Sequence, residues 1–197
     1  KKRVESMPGY VIHLAVAKKY YERNNISDYD NFIAGSLYPD AADDKDQAHY
    51  TDSNRGTNNV SYLQSKVSLY SFLKERKELD DFELGWFLHL VTDYLFFDEC
   101  FDKQYLLKNS YEKFREDLYF AYNCLGKYIS DKYNITKNDY KSYPSEYYPG
   151  FEYKECILSK KLIDEFIDRV SSIDIKEYIK LIKSNKVNIK PYRVVEK

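Results

Sequence analysis

The chain has 197 residues, of which 43% are hydrophobic and 32% charged, and its formal net charge is −1. This composition is typical of a globular protein with a sizeable core and excludes an intrinsically disordered chain. The near-neutral charge gives no electrostatic reason to expect nucleic acid or an anionic membrane as a partner. The most apolar stretch, residues 84–97, is too short for a transmembrane helix and contains two ionisable side chains, His89 and Asp93.

The N-terminal residues predict where the domain begins, and the cysteines predict the cellular compartment of the protein. Residues 1–6 are polar and basic, so we interpret them as an extension before a start at Met7, with residues 7–197 forming one domain. The N-terminus shows no apolar segment followed by a small-residue cleavage site, so no secretory signal peptide is predicted. The three cysteines are odd in number and widely spaced, which predicts free thiols in a reducing, cytoplasmic compartment.

The spacing of apolar residues predicts helices along nearly the whole chain. The first covers residues 10–23. The second is short, covers residues 29–37, begins at a cap formed by Ser27 or Asp28, and stops before Pro39.

Residues 38–58 are polar and rich in Asp, Asn and Gly, which predicts a long loop, and loops of this length are usually functional or disordered. Residues 134–151 contain two prolines and are predicted to be irregular. The remaining predicted helices cover residues 59–77, 80–101, 110–133, 159–171 and 174–184. No alternating pattern predicts a strand, so the predicted fold class is all-α, a single-domain helical bundle.

His89 and Asp93 are the candidate functional residues that stand out first. They lie one turn apart on one face of a helix that is otherwise apolar, and such a helix is buried. A buried carboxylate needs a cation, a donor or a metal as partner, and residues 82–101 contain no Lys or Arg. Gly85, one turn before His89, allows another element or an ion to approach closely.

The chain has only three histidines, and the other two also lie in unusual surroundings. His13 is in an apolar helix, and His49 follows several aspartates in the polar loop. Each feature alone is more often structural than functional, but no histidine is used elsewhere. Imidazole and carboxylate together suit zinc or a neighbouring first-row metal, and helical bundles often hold such sites between facing helices.

Four segments, taken in order, resemble the zinc-dependent phospholipase C family and are most similar to its small bacterial branch. They read MPGYVIHLAVA, GSLYPDA, DKDQAHYTD and GWFLHLVTDYLFF, and together they span residues 7–97. The resemblance implies the helical fold that phospholipases C share with zinc nucleases.

The resemblance also implies a ligand set. Asp40, His49, His89 and Asp93 would surround one zinc ion, and His13 would reach a second metal, with Asp93 bridging the two. Pro39 supports Asp40 among the loop acids, since it is predicted to end the helix and to fix the chain direction just before the ligand.

The chain departs from this family after His89, because no later histidine can serve the third zinc. In secreted members the mature first residue is also a ligand, whereas here Met7 or the extension occupies that end. One zinc site is therefore expected, with a second metal as the open alternative. Further loop acids could substitute as ligands but are better explained as solvated charges. They are Asp43, Asp44, Asp46 and Asp52.

The expected chemistry is hydrolysis of a phosphodiester or phosphomonoester by metal-activated water, with Asp40 or Asp93 orienting or deprotonating that water. The expected substrate is a small phosphate ester or a phospholipid headgroup. The main alternative is a metal-binding or partner-binding module that keeps the fold without catalysis. A zinc nuclease is disfavoured by the near-neutral charge, and an HD-type phosphohydrolase by the lack of a His-Asp dipeptide.

Overall fold

The computed structural model describes residues 9–51, 67–101, 103–140 and 158–191. Within them the only extended pairing is an isolated antiparallel bridge between Thr51 and Val67, which confirms the predicted all-α class. A short 3-10 turn covers Lys137–Tyr140. The α-helices are α1 (Tyr10–Arg23), α2 (Tyr29–Ala41), α3 (Lys45–Ala48), α4 (Leu69–Leu73), α5 (Asp81–Cys100), α6 (Lys103–Lys108), α7 (Tyr111–Lys132), α8 (Lys160–Ser171) and α9 (Ile175–Asn185).

Helix α5 lies at the centre of the fold, as its apolar sequence predicts. Its buried side chains join one hydrophobic cluster that also draws on α1, α2, α4, α7, α8 and α9. The described helices therefore share a single core, consistent with the predicted single domain. Residues 1–6, interpreted as an extension, lie outside the described residues. Cys100 and Cys124 are free and buried, while Cys156 also lies outside the described range.

Two aspartates cap the helices that carry the candidate residues. Asp28 caps α2, as predicted, by accepting a hydrogen bond from Asn31 N at 3.0 Å. Asp80 caps α5 through a reciprocal capping box with Glu83. These caps satisfy amide groups that would otherwise lack partners at the start of each helix.

The prediction that α2 stops before Pro39 is wrong. The helix continues through Pro39 to Ala41, so Asp40 belongs to its last turn rather than to a loop. Proline removes the bond to the carbonyl four residues earlier and its ring crowds that carbonyl, a cost that α2 tolerates here. The helix ends with a bond from Ala42 N to Tyr38 O at 2.9 Å.

Other boundaries also differ from the predictions. The polar loop contains the short helix α3, which Asp44 caps by accepting from Gln47 N. A helix was predicted over residues 59–77. Residues 59–66 lie outside the described residues, and of residues 67–77 only α4 is helical. Helix α6 was not predicted as a separate element. The predicted irregular segment includes the 3-10 turn, and its remainder from residue 141 lies outside the described residues.

Helices α2 and α5 approach each other at two glycines, one on each helix. A methyl group added at Gly85 would lie 2.0 Å from Phe32 O, and one added at Gly35 would lie 1.9 Å from Phe82 O. Each glycine therefore faces the backbone of the opposite helix, where no side chain fits. The prediction that Gly85 allows close approach is confirmed, and the approaching element is α2.

We expect Gly85→Ala and Gly35→Ala each to lower the free energy of unfolding by about 3 kcal/mol, because the methyl group must push two backbones apart. Gly9→Ala is the control, since a methyl group there would make an ordinary 3.7 Å contact with Tyr122. Its cost should stay below about 1 kcal/mol, the usual range for a helix cap. Urea unfolding measures all three variants, and equal losses would contradict the proposed role of the close contact.

Candidate metal centre

Five ionisable side chains that are distant in sequence meet between α1, α2 and α5. Helix α1 contributes His13, the last turn of α2 contributes Asp40, and His49 directly follows α3. His89 and Asp93 lie one turn apart on α5. These are the five residues that the sequence nominated, and the structure brings them all together.

The side-chain atoms converge within a few ångströms. His49 Nε2 lies 3.2 Å from His89 Nε2. Asp93 Oδ2 is 3.3 Å from His89 Nε2 and 3.5 Å from His49 Nε2, whereas Asp93 Oδ1 is 3.3 Å from His13 Nε2. On the other side, Asp40 Oδ1 is 3.5 Å from His49 Nε2 and 3.9 Å from His89 Nε2.

Backbone carbonyls fix which nitrogen each of two histidines presents to the centre. His49 Nδ1 donates to Lys45 O at 2.7 Å, and His89 Nδ1 donates to Ser36 O at 2.7 Å. With Nδ1 protonated, Nε2 of a neutral imidazole carries a lone pair. If both rings were neutral, two lone pairs would face each other across 3.2 Å, so a proton or a metal ion is needed between them. Histidine ligands typically donate their second ring nitrogen to a carbonyl in this way.

His13 completes the centre from α1. Its ring stacks on that of His89 with centroids 3.6 Å apart and planes within 8° of parallel. Both ring nitrogens of His13 and both carboxylate oxygens of Asp93 are buried and make no hydrogen bond of normal geometry with any described residue. Buried polar atoms of this kind usually have a partner, since leaving one unpaired costs about 1–3 kcal/mol. A cation in contact with both side chains would supply it.

The two carboxylates of the centre have pKa values that keep them ionised. Burial raises the pKa of Asp93, but the neighbouring imidazoles of His89 and His13 outweigh it and hold that pKa well below its usual range. Burial also raises the pKa of Asp40, and the charge of His89 and the bond to His49 outweigh it in the same way. Both carboxylates are therefore ionised at neutral pH.

The pKa values of His49 and His89 move in opposite directions. Burial lowers the pKa of His49, but its bond to Asp40 and the charge of Asp93 outweigh burial and raise the pKa to about 9. Burial and the neighbouring His13 lower the pKa of His89. Among the described residues, no Lys or Arg forms an ion pair with Asp40 or Asp93. A divalent cation would balance the two carboxylates and take the place of the proton between the imidazoles.

Two overlapping sets of these residues could hold a metal ion. Within each set, one ligand atom per residue lies within 4.8 Å of the others. His89 belongs to both sets, so the centre could hold one ion with mixed nitrogen and oxygen ligands or two ions that share ligands. The sets are His13, His89 and Asp93, and Asp40, His49 and His89.

A cleft of about 530 Å³ lies beside one edge of the centre. Its lining includes residues on both sides of Asp40 and of His49 in the sequence, with the aromatic side chains of Tyr38, Tyr50 and Trp86. The side chain of Asp40 is 9% exposed, whereas that of Asp93 is 1% exposed. Asp40 is therefore the carboxylate nearer to solvent, and Asp93 is enclosed.

The other loop acids that were considered as ligands do not enter the centre. Asp43, Asp44 and Asp46 are exposed, and Asp52 lies outside the described residues. Asp44 instead caps α3, the turn that precedes His49. Their interpretation as loop charges rather than ligands agrees with this placement.

Several groups that contact the candidate ligands or their neighbours were not identified from the sequence. The carbonyls of Ser36 and Lys45 have no sequence signature, because any residue supplies one. The indole Nε1 of Trp86 donates to Ala48 O, next to His49, at 2.7 Å. Its position three residues before His89 was the available signal, because that spacing places both side chains on one side of α5.

Comparisons of the chain with protein-family models, with curated proteins and with solved structures find no match. The likeness to zinc-dependent phospholipases C therefore stays a prediction from four short motifs. Among the described helices, none has the length and hydropathy needed to cross a membrane.

We expect zinc to raise the melting temperature of the wild-type protein. At free zinc about a thousandfold above Kd, binding adds about 4 kcal/mol to stability, which for a chain of this size is a shift of about 8–16 °C. Asp93→Asn keeps the shape but removes the charge, so most of the shift should disappear.

Asp30→Asn is the matched control, because Asp30 is exposed near the start of α2. Scanning calorimetry with and without zinc, together with elemental analysis, measures both effects. Equal zinc-dependent shifts in the wild type and in Asp93→Asn would contradict the assignment of Asp93 as a ligand.

Proposed function

We propose that the chain is a zinc-dependent phosphoesterase that hydrolyses a phosphodiester or a phosphomonoester. The observation that carries the proposal is the position of the His/Asp cluster next to a cleft whose lining includes residues on both sides of Asp40, with Asp40 the more exposed of the two carboxylates. A fully enclosed metal would be structural, whereas a catalytic one needs a position open to water and substrate.

The donor set favours zinc or a close first-row neighbour over calcium or magnesium. Three imidazoles and two carboxylates are a mixed nitrogen and oxygen set, whereas calcium and magnesium prefer oxygen alone. When bound, zinc supplies Lewis-acid polarisation of a phosphoryl oxygen and activation of water.

The chain's own residues would then divide the work. His49 and His89, held by Lys45 O and Ser36 O, present Nε2 as ligand atoms of fixed direction. Asp93, being enclosed, would serve as a ligand and a balancing charge. Asp40, nearer to solvent, would orient the attacking water and accept its proton. A bond from the water oxygen to phosphorus forms, the ester bond breaks, and the leaving alcohol takes a proton from solvent.

The cleft supports a small substrate. Its volume of about 530 Å³ suits a phosphate ester with a modest leaving group or a phospholipid headgroup. The walls combine aromatic faces with acidic side chains, and no Lys or Arg is among the described residues that line this cleft. A nucleic acid chain, with one negative charge per nucleotide, is disfavoured by such a surface.

A second candidate function is a metal-binding module without catalysis. The number of converging ligands supports it, since five side chains can fill a tetrahedral shell and leave no open position. In that case the metal would stabilise the junction of α1, α2 and α5 and would turn over no substrate.

We expect the zinc-loaded protein to hydrolyse at least one of an aryl phosphate, a bis-aryl phosphate diester and a short-chain phospholipid. Asp40→Asn should lower kcat by about a hundredfold or more, because it removes the proton acceptor. Asp30→Asn should keep the wild-type rate. Single-stranded DNA and RNA at low salt serve as further substrates.

The outcomes of this assay separate the two functions. Full zinc occupancy with no hydrolysis of any substrate would contradict the phosphoesterase and favour the metal-binding module. Hydrolysis that Asp40→Asn leaves unchanged would contradict the role of Asp40.

A further inference from the structure

The backbone beside His49 is held in an unusual conformation. We call residues 42–51, which connect α2 to the bridge at Thr51, the ligand loop. Within it Tyr50, directly after His49, has a φ of 50°, in the left-handed region that non-glycine residues seldom adopt. Such a conformation persists only where surrounding contacts enforce it. The groups that hold the ligand loop in place are therefore of interest.

Trp86 contacts the ligand loop on the other side of His49. Its indole Nε1 donates to Ala48 O at 2.7 Å. Trp86 and His89 lie three residues apart on α5. The same helix therefore carries the candidate ligand His89 and the side chain that bonds to the ligand loop next to His49. The bond ties the backbone next to His49 to the helix that carries His89.

Arg76 holds both Trp86 and Tyr50. Its guanidinium carbon lies 4.0 Å from the ring centroid of Phe72, 5.3 Å from that of Trp86 and 5.6 Å from that of Tyr50. Its Nη1 donates to Tyr50 Oη at 3.0 Å and to Phe72 O at 2.7 Å. Its Nε donates to Glu83 Oε1 at 2.9 Å. A planar guanidinium can stack on rings and donate in its own plane at once, which a lysine cannot do.

We infer that Trp86 is a positioning residue for the candidate metal centre and that Arg76 fixes Trp86 and Tyr50 in place. The two residues on either side of His49 are thereby held at separate points, Ala48 by the indole and Tyr50 by the guanidinium. The inference rests on the His/Asp centre of the proposed function but not on hydrolysis. Metal affinity, rather than catalysis, is therefore its test.

A purely structural role for Trp86 predicts a different result from a positioning role. If Trp86 only fills space, its replacement lowers stability and leaves zinc affinity unchanged. If it positions His49, zinc affinity falls even where the variant is folded, because residues that orient metal ligands typically change affinity about 10–100-fold.

The test compares Trp86→Phe with Phe82→Leu. Trp86→Phe keeps an aromatic ring and removes the N–H, whereas Phe82→Leu removes a ring that packs on Trp86 at 6.3 Å and leaves the bond to Ala48 intact. Zinc Kd is measured by competition with a chromophoric chelator. We expect Trp86→Phe to weaken zinc binding about tenfold and Phe82→Leu to change it less than about threefold. Arg76→Lys, which keeps the charge but loses the planar fork, should fall between them.

A second measurement needs no metal. The proton on His49 Nδ1 is bonded to Lys45 O and should exchange slowly with water, so it gives a downfield NMR signal in metal-free protein. Trp86→Phe should lose this protection, and Phe82→Leu should keep it.

These two readouts separate failure of the inference from failure of the proposed function. Unchanged zinc Kd and an unchanged His49 signal in Trp86→Phe would overturn the positioning role. If the wild type binds no zinc, the proposed function fails, and the His49 signal still decides whether Trp86 positions that side chain.

Discussion

The close contact of α2 with α5 is the constraint on which the candidate centre depends. Gly35 and Gly85 let the two backbones meet, and the methyl group missing at Gly85 would also lie 2.9 Å from Ser36 N. This proximity brings Ser36 O to His89 Nδ1, one turn further along α5. Because α2 continues one turn beyond Ser36, Asp40 reaches the same centre. Gly35 and Gly85 thus set the distance between the candidate ligands Asp40 and His89, although neither glycine belongs to the centre.

The same contact creates an electrostatic problem that a metal ion would solve. It encloses the ionised carboxylates of Asp40 and Asp93 next to His49, whose pKa is raised. Among the described residues, no Lys or Arg pairs with either carboxylate. Burying charge without full compensation costs stability, and natural cores seldom carry such a group without a function. The apolar surroundings of α5 make the cost larger. The centre is therefore better explained as a binding site than as a contribution to folding.

The sequence predicts which residues form the centre better than it predicts the elements and contacts that position them. His13, His89 and Asp93 could be found because a polar residue on an apolar helix is unusual, and that signal is local. Asp40 required a likeness to known motifs. The continuation of α2 through Pro39 could not be predicted, since a rule about one residue was overridden by packing against α5. Trp86 and Arg76 act through contacts between distant elements, which periodicity does not record.

The difference in exposure between the two carboxylates links the fold to the proposed chemistry. Asp93 is on the central helix and enclosed, so its environment is dry and its position rigid. Asp40 is in the last turn of α2, where its side chain is 9% exposed and its neighbours Tyr38 and Ala41 line the cleft. Carboxylates in such different surroundings suit different roles, one as a fixed ligand and one as a proton acceptor. A purely structural metal site would have no need for this asymmetry, and for that reason we favour catalysis over the module without turnover.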